Sequence, residues 1–313
     1  MNVGVDFALF RHRLSGTIEY YNKYSVDLLA AINGSPTQGF GYTTLMTNNG
    51  KMVNRGVEIT LSGEIIRQKD FSWNASLLYA FNRNKVKHIS VQPSLWDSRI
   101  SMPTSYPMVG KPLYGIYAYK WAGLNENGDP QVYDAENNVT SGPARDYHAL
   151  VYCGTTVPIH NASLTNVLRY KGFEFSAMLI LDAGHKLRSS NIPSINMSNG
   201  RITSTAKGIV DRWTQPGDVT DVPRLLFSND TENFNTHRTE LYRYSDLFVY
   251  DASNIRLSNI SLAYRVPAHW CKKISLSGAR LQFNVENVAT FAFDSKANYD
   301  LGGKVKPNYV WGL

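Results

Sequence analysis

The chain has 313 residues, a net charge of +7 and 43% apolar residues, which allows one large domain or two ordinary ones. Its sequence contains no apolar run near the roughly 18 residues of a transmembrane helix, so a helical membrane protein is excluded. The 32 Lys and Arg residues are scattered along the chain without a dense cluster, so we expect no nucleic-acid partner.

Long segments of the chain alternate apolar with polar residues. Val57, Ile59 and Leu61 are separated by polar side chains, and the same rhythm resumes at Phe71 after a short turn at 67–70. A period of two predicts strands with one apolar face and one polar face. The segments exceed the usual strand of about five or six residues and match the roughly nine to eleven needed to cross a bilayer.

Nine such strands are predicted, and the connections between them alternate strictly between short and long. In chain order the strands lie at residues 2–11, 14–26, 53–66, 71–86, 158–170, 172–184, 248–266, 273–288 and 308–313. An up-and-down barrel requires this alternation when all short turns lie on one side of the membrane and all long loops on the other. We therefore predict an all-β protein built as a transmembrane antiparallel up-and-down β-barrel, with short turns in the periplasm.

Strand four illustrates the expected facing. Its lipid-facing side chains are predicted to be Trp73, Leu77, Tyr79 and Phe81, and its lumen-facing side chains Ser72, Asn74 and Ser76. Strands seven and eight break the alternation. Ile255 and Leu257 are out of phase with Ile260, and Ile274 and Leu276 are out of phase with Leu281, so we predict a β-bulge in each strand. The alternative is that these apolar side chains partly face a plug or the barrel interior.

The two cysteines, Cys153 and Cys271, fall on opposite sides of the membrane in this topology, so no disulfide is expected. The first ten residues lack the basic and apolar regions of a signal peptide. A protein of the outer membrane needs such a signal, so we expect the chain to be part of a longer protein.

A series of short motifs runs along nearly the whole chain in a fixed order. The clearest are Asn48–Glu58, Asn82–Val86, Gly110–Gly115, Ala252–Leu257 and Asn284–Asn287. The ordered series resembles the SusC/RagA-type TonB-dependent outer-membrane transporters.

The resemblance implies a barrel of about 22 strands closed by a plug, of which residues 1–313 supply the last nine strands and neither the plug nor the signal peptide. It implies TonB-driven uptake of oligosaccharides or peptides, a SusD-like surface lipoprotein as lid, and surroundings of outer-membrane lipid and lipopolysaccharide. The sequence itself contains no catalytic apparatus, so we predict no enzymatic activity and no cofactor.

Aromatic side chains of the long connections are the candidate residues for contact with a ligand or with the lid, because sugar rings stack on aromatic faces. They are Trp96, Tyr114, Tyr117, Tyr119, Trp121 and Trp213. Packing among the loops themselves is the alternative role for each of them.

Other functions find little support in the sequence. Asn125, Asn127 and Asp129 only weakly resemble a calcium loop, and the seven His residues show no metal-binding spacing, so no metal site is predicted. No nucleophile or phosphate-binding motif occurs. A soluble or cell-surface carbohydrate-binding β-sandwich is the alternative that would also explain the aromatics and the alternation.

Overall fold

The computed structural model describes residues 1–33, 44–91, 98–142, 146–197, 206–227, 236–273, 275–297, 300–301 and 308–312. The strands of these residues are β1 (Asn2–Leu9), β2 (Leu14–Asn33), β3 (Thr44–Arg67), β4 (Phe71–His88), β5 (Gly115–Tyr119), β6 (Trp121–Leu124), β7 (Pro130–Tyr133), β8 (Val139–Thr140), β9 (Leu150–Thr155), β10 (His160–Tyr170), β11 (Phe173–Ala183), β12 (Lys186–Arg188), β13 (Asn196–Met197), β14 (Leu226–Phe227), β15 (Val249–Asp251), β16 (Asn254–Arg265), β17 (Arg280–Ala292) and β18 (Asn308–Gly312).

The helices are short. They are α1 (Ser98–Ser101), α2 (Thr236–Arg243) and α3 (Ala268–Lys273), with 3₁₀ turns at Tyr147–Ala149, Lys207–Asp211, Asp246–Phe248 and Ser295–Ala297. Among the described residues, none of these helices has the length and apolar character needed to cross a membrane.

Nine strands form one antiparallel sheet in which every strand pairs with its neighbours in the order β1-β2-β3-β4-β10-β11-β16-β17-β18. The number of strands and their up-and-down order are as predicted. Because strands run in alternating directions, the connections β1–β2, β3–β4, β10–β11 and β16–β17 leave one end of the sheet, here called the turn end. The other four leave the opposite end, here called the loop end.

The bounds of several strands differ from the prediction. Residues 27–33 and 44–52 were expected in a loop but extend β2 and β3, which pair as far as Asn33 and Thr44. Bulges between Ser25 and Leu29 interrupt the alternation there, and Asp27 absorbs the kink with a φ of 54°. Because a bulge shifts the apolar–polar alternation by one residue, the sequence pattern did not show that β2 and β3 continue through these residues. The β2–β3 connection is therefore about as short as the β16–β17 connection. Connection length alone does not tell that the first lies at the loop end and the second at the turn end.

The predicted bulge of strand seven is confirmed. Leu257 pairs with Leu179 and Asn259 pairs with Met178, which leaves Ser258 as the extra residue and returns Ile255 and Leu257 to the face of Ile260. The bulge of strand eight was predicted in the wrong place. That strand begins at Arg280 rather than at 273, and residues 268–273 form α3 because they follow the turn at Pro267. The irregularity of β17 lies at 287–288, opposite Ser258.

The register divides the sheet into two faces, as predicted for strand four. Leu77 pairs with Leu61 and Leu164, so an apolar row crosses neighbouring strands. Asn74 lies on the opposite face and pairs with Glu64 and Val167. The first face is here called the apolar face and the second the polar face.

Most buried apolar side chains of the described residues lie outside the large sheet, although Val53, Val86 and Ala263 are buried within it. Their main cluster lies among the small sheets and α2 of the two long connections at 89–159 and 184–253, whose described residues are together called the loop assembly. Its centre contains the side chains of Tyr117, Tyr119, Val132, Leu150 and Leu241. The chain therefore consists of an open sheet with a packed cap at its loop end.

Candidate functional site

The two long connections interlock into one structure at the loop end. The Tyr119 amide donates to the Tyr244 carbonyl at 3.0 Å, and the Trp121 amide donates to Asp246 Oδ1 at 2.9 Å. Arg188 Nη2 donates to the Tyr117 carbonyl at 2.7 Å. These contacts join segments more than 70 residues apart, so the loops hold a defined surface above the sheet.

Two of the predicted contact residues pack inside the loop assembly. Tyr117 is 1% exposed and Tyr119 is fully buried. The Tyr117 hydroxyl accepts from the Met108 amide at 3.1 Å, and burial raises the pKa of this hydroxyl. Both side chains therefore pack within the loop assembly, and their contact with a ligand or a lid stays a prediction that requires the loop assembly to open.

Three of the other predicted contact residues are more accessible. Tyr114 is 46% exposed at the boundary between the sheet and the cap. Trp121 is half-buried and donates from Nε1 to Asp221 Oδ1 at 2.9 Å. Trp213 covers Gly128, where a Cβ atom would collide with the indole ring. Trp96 lies outside the described residues. Contact of these residues with a ligand or a lid stays a prediction.

An ion-paired centre that the sequence did not reveal holds the loop assembly together. Asp129 accepts from Arg224 Nη2 at 2.8 Å and from Arg238 Nε at 2.8 Å. Arg238 also donates to the Arg224 carbonyl at 2.8 Å, and its side chain is only 4% exposed. From the sequence alone, Asp129 weakly resembles a calcium ligand. In the structure its carboxylate instead forms ion pairs with two guanidinium groups.

A polar row crosses the polar face of the sheet near its loop end. By register it contains Glu19, Glu58, Ala80, Asn161, Asp182 and Asn254. Asn161 Nδ2 donates to Asp182 Oδ1 at 2.6 Å. Glu58, Asn161 and Asp182 line a shallow hollow of about 280 Å³. Carboxylates and amides in this position can accept hydrogen bonds from the hydroxyl or amide groups of a passing solute.

The described side chains carry no arrangement for metal binding, since no three His, Cys, Asp or Glu residues among them converge on one point. Cys153 and Cys271 are both free thiols, one in β9 of the loop assembly and one in α3 at the turn end. Their separation is as predicted.

Comparison with known proteins identifies a family and several relatives that are similar to this chain. The family described as "TonB dependent receptor-like, beta-barrel" matches residues 1–288. TonB-dependent receptor P3 of Formosa agariphila is 25% identical over the whole chain, and TonB-dependent receptor SusC of Bacteroides thetaiotaomicron is 24% identical over 91% of it. The chain spans 32% and 28% of the lengths of these two relatives.

The fold is also found among solved structures. The RagAB peptide transporter superposes with a TM-score of 0.72 at 21% identity, over 94% of this chain and 31% of that one. This likeness supports the fold alone. The match over residues 1–288, together with the single up-and-down sheet, shows that the chain belongs to the TonB-dependent receptor β-barrel family.

Proposed function

We propose that the chain forms nine neighbouring strands of a larger barrel in a TonB-dependent outer-membrane transporter, which imports oligosaccharides or peptides. The observation that carries this proposal is the two-faced sheet. One continuous sheet of nine strands has an apolar face suited to lipid and a polar face suited to a water-filled or plugged lumen. The transporter binds and moves its ligand and performs no chemistry on it.

The edges of the sheet support a larger barrel. β1 and β18 each pair with only one strand within the described residues. Unpaired backbone groups in hydrocarbon cost several kcal/mol each, so an open sheet does not persist in a membrane. Further strands would pair with both edges, and the plug and the TonB-contacting segment of the family would lie outside residues 1–313.

The loop assembly is the proposed surface for a SusD-like surface lipoprotein. It is cross-linked by hydrogen bonds between the two long connections and by the Asp129 ion pairs, so its exposed side chains are held in fixed positions. Tyr114 is exposed on it and Trp121 is half-buried, and an aromatic ring in such a position can contact either a partner or a ligand.

The β-sandwich alternative does not fit the architecture. A sandwich needs two large sheets packed face to face at about 10 Å. Here the nine strands form a single sheet, and the small sheets of the loop assembly contain two or three strands each. Those aromatics behind the alternative that the structure describes, such as Tyr117, Tyr119 and Trp121, lie in the loop assembly.

The test is the ligand and partner carried by the complete transporter when it is purified in detergent from outer membranes. Mass spectrometry of heat-released small molecules distinguishes oligosaccharides from peptides, and protein mass spectrometry identifies a bound lipoprotein. We expect one of the two ligand classes, and uptake of that class that stops when an uncoupler collapses the proton gradient. Recovery of the protein from the aqueous fraction without detergent would contradict the proposal.

A further inference from the structure

A basic cleft lies on the apolar face of the sheet at its loop end. It has a volume of about 570 Å³ and is lined by the loop ends of β3 and β4, by the segment at 110–112 and by residues 152–159. Its cationic lining residues are Arg55, Arg83, Lys85, Lys87 and Lys111. No carboxylate is among the described residues that line it.

The register fixes the face on which these cations lie. Arg83 and Lys85 continue the odd-numbered series of Leu77, Tyr79 and Phe81 along β4. Arg55 pairs with Arg83, so both side chains project on the apolar face rather than into the lumen. The cleft is therefore separated from the polar row by the sheet itself.

The far wall of the cleft is built by backbone pairing. The Gly110 amide donates to the Val86 carbonyl at 2.8 Å, and the Val86 amide donates to the Lys111 carbonyl at 3.0 Å. β10 begins at His160 and does not extend this far along β4. The segment at 110–112 pairs with β4 there instead. Lys111 Nζ lies 4.9 Å from the centroid of the Tyr152 ring.

The cations are not neutralised by the protein. None of the five forms an ion pair with a carboxylate in the described part of the chain, and Arg55 instead donates from Nε to Asn22 Oδ1 at 3.2 Å. Five like charges in one cleft repel one another, which raises the free energy of the protein unless an anion lies among them. An anionic ligand is the simplest compensation.

Along the membrane normal, the cleft lies at the level of the lipid headgroups. Phe71 and Phe81 are the ends of the apolar series of β4 and are ten residue steps apart. At about 3.3 Å per step and a tilt of about 40°, they span about 25 Å across the membrane, which is the height of the apolar band of such barrels. Arg83 and Lys85 then lie about 5–10 Å beyond the band, above the Tyr79–His160 hydrogen bond of 2.9 Å.

We propose that this cleft binds the phosphate groups of an anionic lipid of the outer leaflet, namely the lipid A part of lipopolysaccharide. The acyl chains lie against Leu77 and Phe81, and the phosphates are bound by Arg83 and Lys85 on the strand and by Lys111 from the loop side. The inference rests on the proposed function, because only a membrane-embedded sheet presents its apolar face to lipid.

The experiment measures binding of lipid A to the complete transporter in detergent by native mass spectrometry. The test variant is Arg83→Gln with Lys85→Gln. The matched control is Lys69→Gln with Lys272→Gln, which removes the same charge from exposed side chains at the turn end. At about one kcal/mol per interfacial cation, the test variant should bind bisphosphorylated lipid A about thirtyfold more weakly, while the control binds like the wild type.

Two further probes identify the source of the phosphate. Dephosphorylated lipid A should bind the wild type at least about tenfold more weakly than the bisphosphorylated form. Millimolar inorganic phosphate should not displace the lipid. Displacement by phosphate alone would overturn the lipid assignment, and so would equal binding of lipid A by the test and control variants.

Ligand uptake separates this inference from the proposed function. The cleft faces away from the lumen, so the test variant should take up ligand at the rate of the control. A transporter that takes up ligand yet binds lipid A equally in both variants overturns the inference alone. A protein that never enters the outer membrane overturns the proposed function.

Discussion

Arg238 donates from Nε to Asp129 Oδ1 at 2.8 Å and thereby ties α2 to the start of β7 across 109 residues of sequence. The guanidinium is almost completely buried, and Arg224 contacts the other oxygen of the same carboxylate at 2.8 Å. The stability of the cap therefore depends on an ionic centre as well as on its apolar core.

Removal of this guanidinium should loosen the loop assembly. Breaking a buried ion pair by deleting one partner typically costs about 3–5 kcal/mol, and because Arg224 still contacts Asp129 we expect a value near the lower limit for Arg238→Met. Hydrogen exchange of the amides in α2 and β7 measures the local opening free energy. Arg243→Met, at an exposed position of the same helix, is the control and should exchange like the wild type. Equal exchange in the two variants would contradict a structural role for the ion pair.

Two adjacent residues of β4 should lose different amounts of stability when each is replaced by a charged residue. Leu77 lies on the apolar face near the middle of the Phe71–Phe81 series, so Leu77→Arg should lower the free energy of unfolding by about 2–4 kcal/mol in a bilayer. Leu78 lies on the polar face with Thr60 and Ser163, so Leu78→Arg should cost much less. Denaturant unfolding of the complete transporter from phospholipid vesicles measures both. A larger loss for Leu78→Arg would reverse the assignment of the faces.

The Cys153 thiol should react slowly with alkylating reagents. Burial, aided by the Asp246 carboxylate, raises its pKa to about 11, so about one molecule in a thousand is a thiolate at pH 8. The rate with iodoacetamide in a Cys271→Ser background should increase about tenfold per pH unit and level off only near pH 11. A rate that levels off near pH 9, or a Cys153–Cys271 bridge in non-reducing mass spectrometry of the unmodified protein, would be inconsistent with this structure.

Gly56 should not tolerate a side chain. A Cβ atom at this position would collide with the Phe81 carbonyl oxygen and the Tyr21 ring, and the backbone carbonyl cannot move without breaking the sheet. We expect Gly56→Ala to cost about 1–3 kcal/mol of unfolding free energy. Gly278→Ala is the control, since no atom lies within 4 Å of the position that its Cβ would occupy, and its stability should be unchanged. Equal stability of the two variants would argue against the close approach at Gly56.

The strands of the sheet could be predicted because most of them have one apolar face and one polar face. Most side chains of β4 and β10 follow that alternation, with exceptions such as Leu78, Asn166 and Val167. The phase change between Leu257 and Ile260 marks the bulge in β16. The extension of β2 to Asn33 could not be predicted, because the bulges beyond Ser25 break the alternation on which the prediction depends.

The packing of the cap could not be predicted for a different reason. Tyr114, Tyr117 and Tyr119 belong to one aromatic segment, yet one is exposed and two are buried. Their burial is decided by partners such as Tyr244 and Leu241 that follow more than 100 residues later. The Asp129–Arg238 pair is equally distant in sequence, and no local pattern indicates it.

The turn end and the loop end of the sheet should lie on opposite sides of the outer membrane. Labelling of intact cells with a membrane-impermeant maleimide tests this topology, in a complete transporter whose Cys153 and Cys271 are replaced by Ser. Glu136→Cys, in the turn between β7 and β8, should be labelled on intact cells. Lys69→Cys, in the β3–β4 turn, should be labelled only after the outer membrane is permeabilised. Labelling of both positions on intact cells, or of Lys69→Cys alone, would contradict this topology.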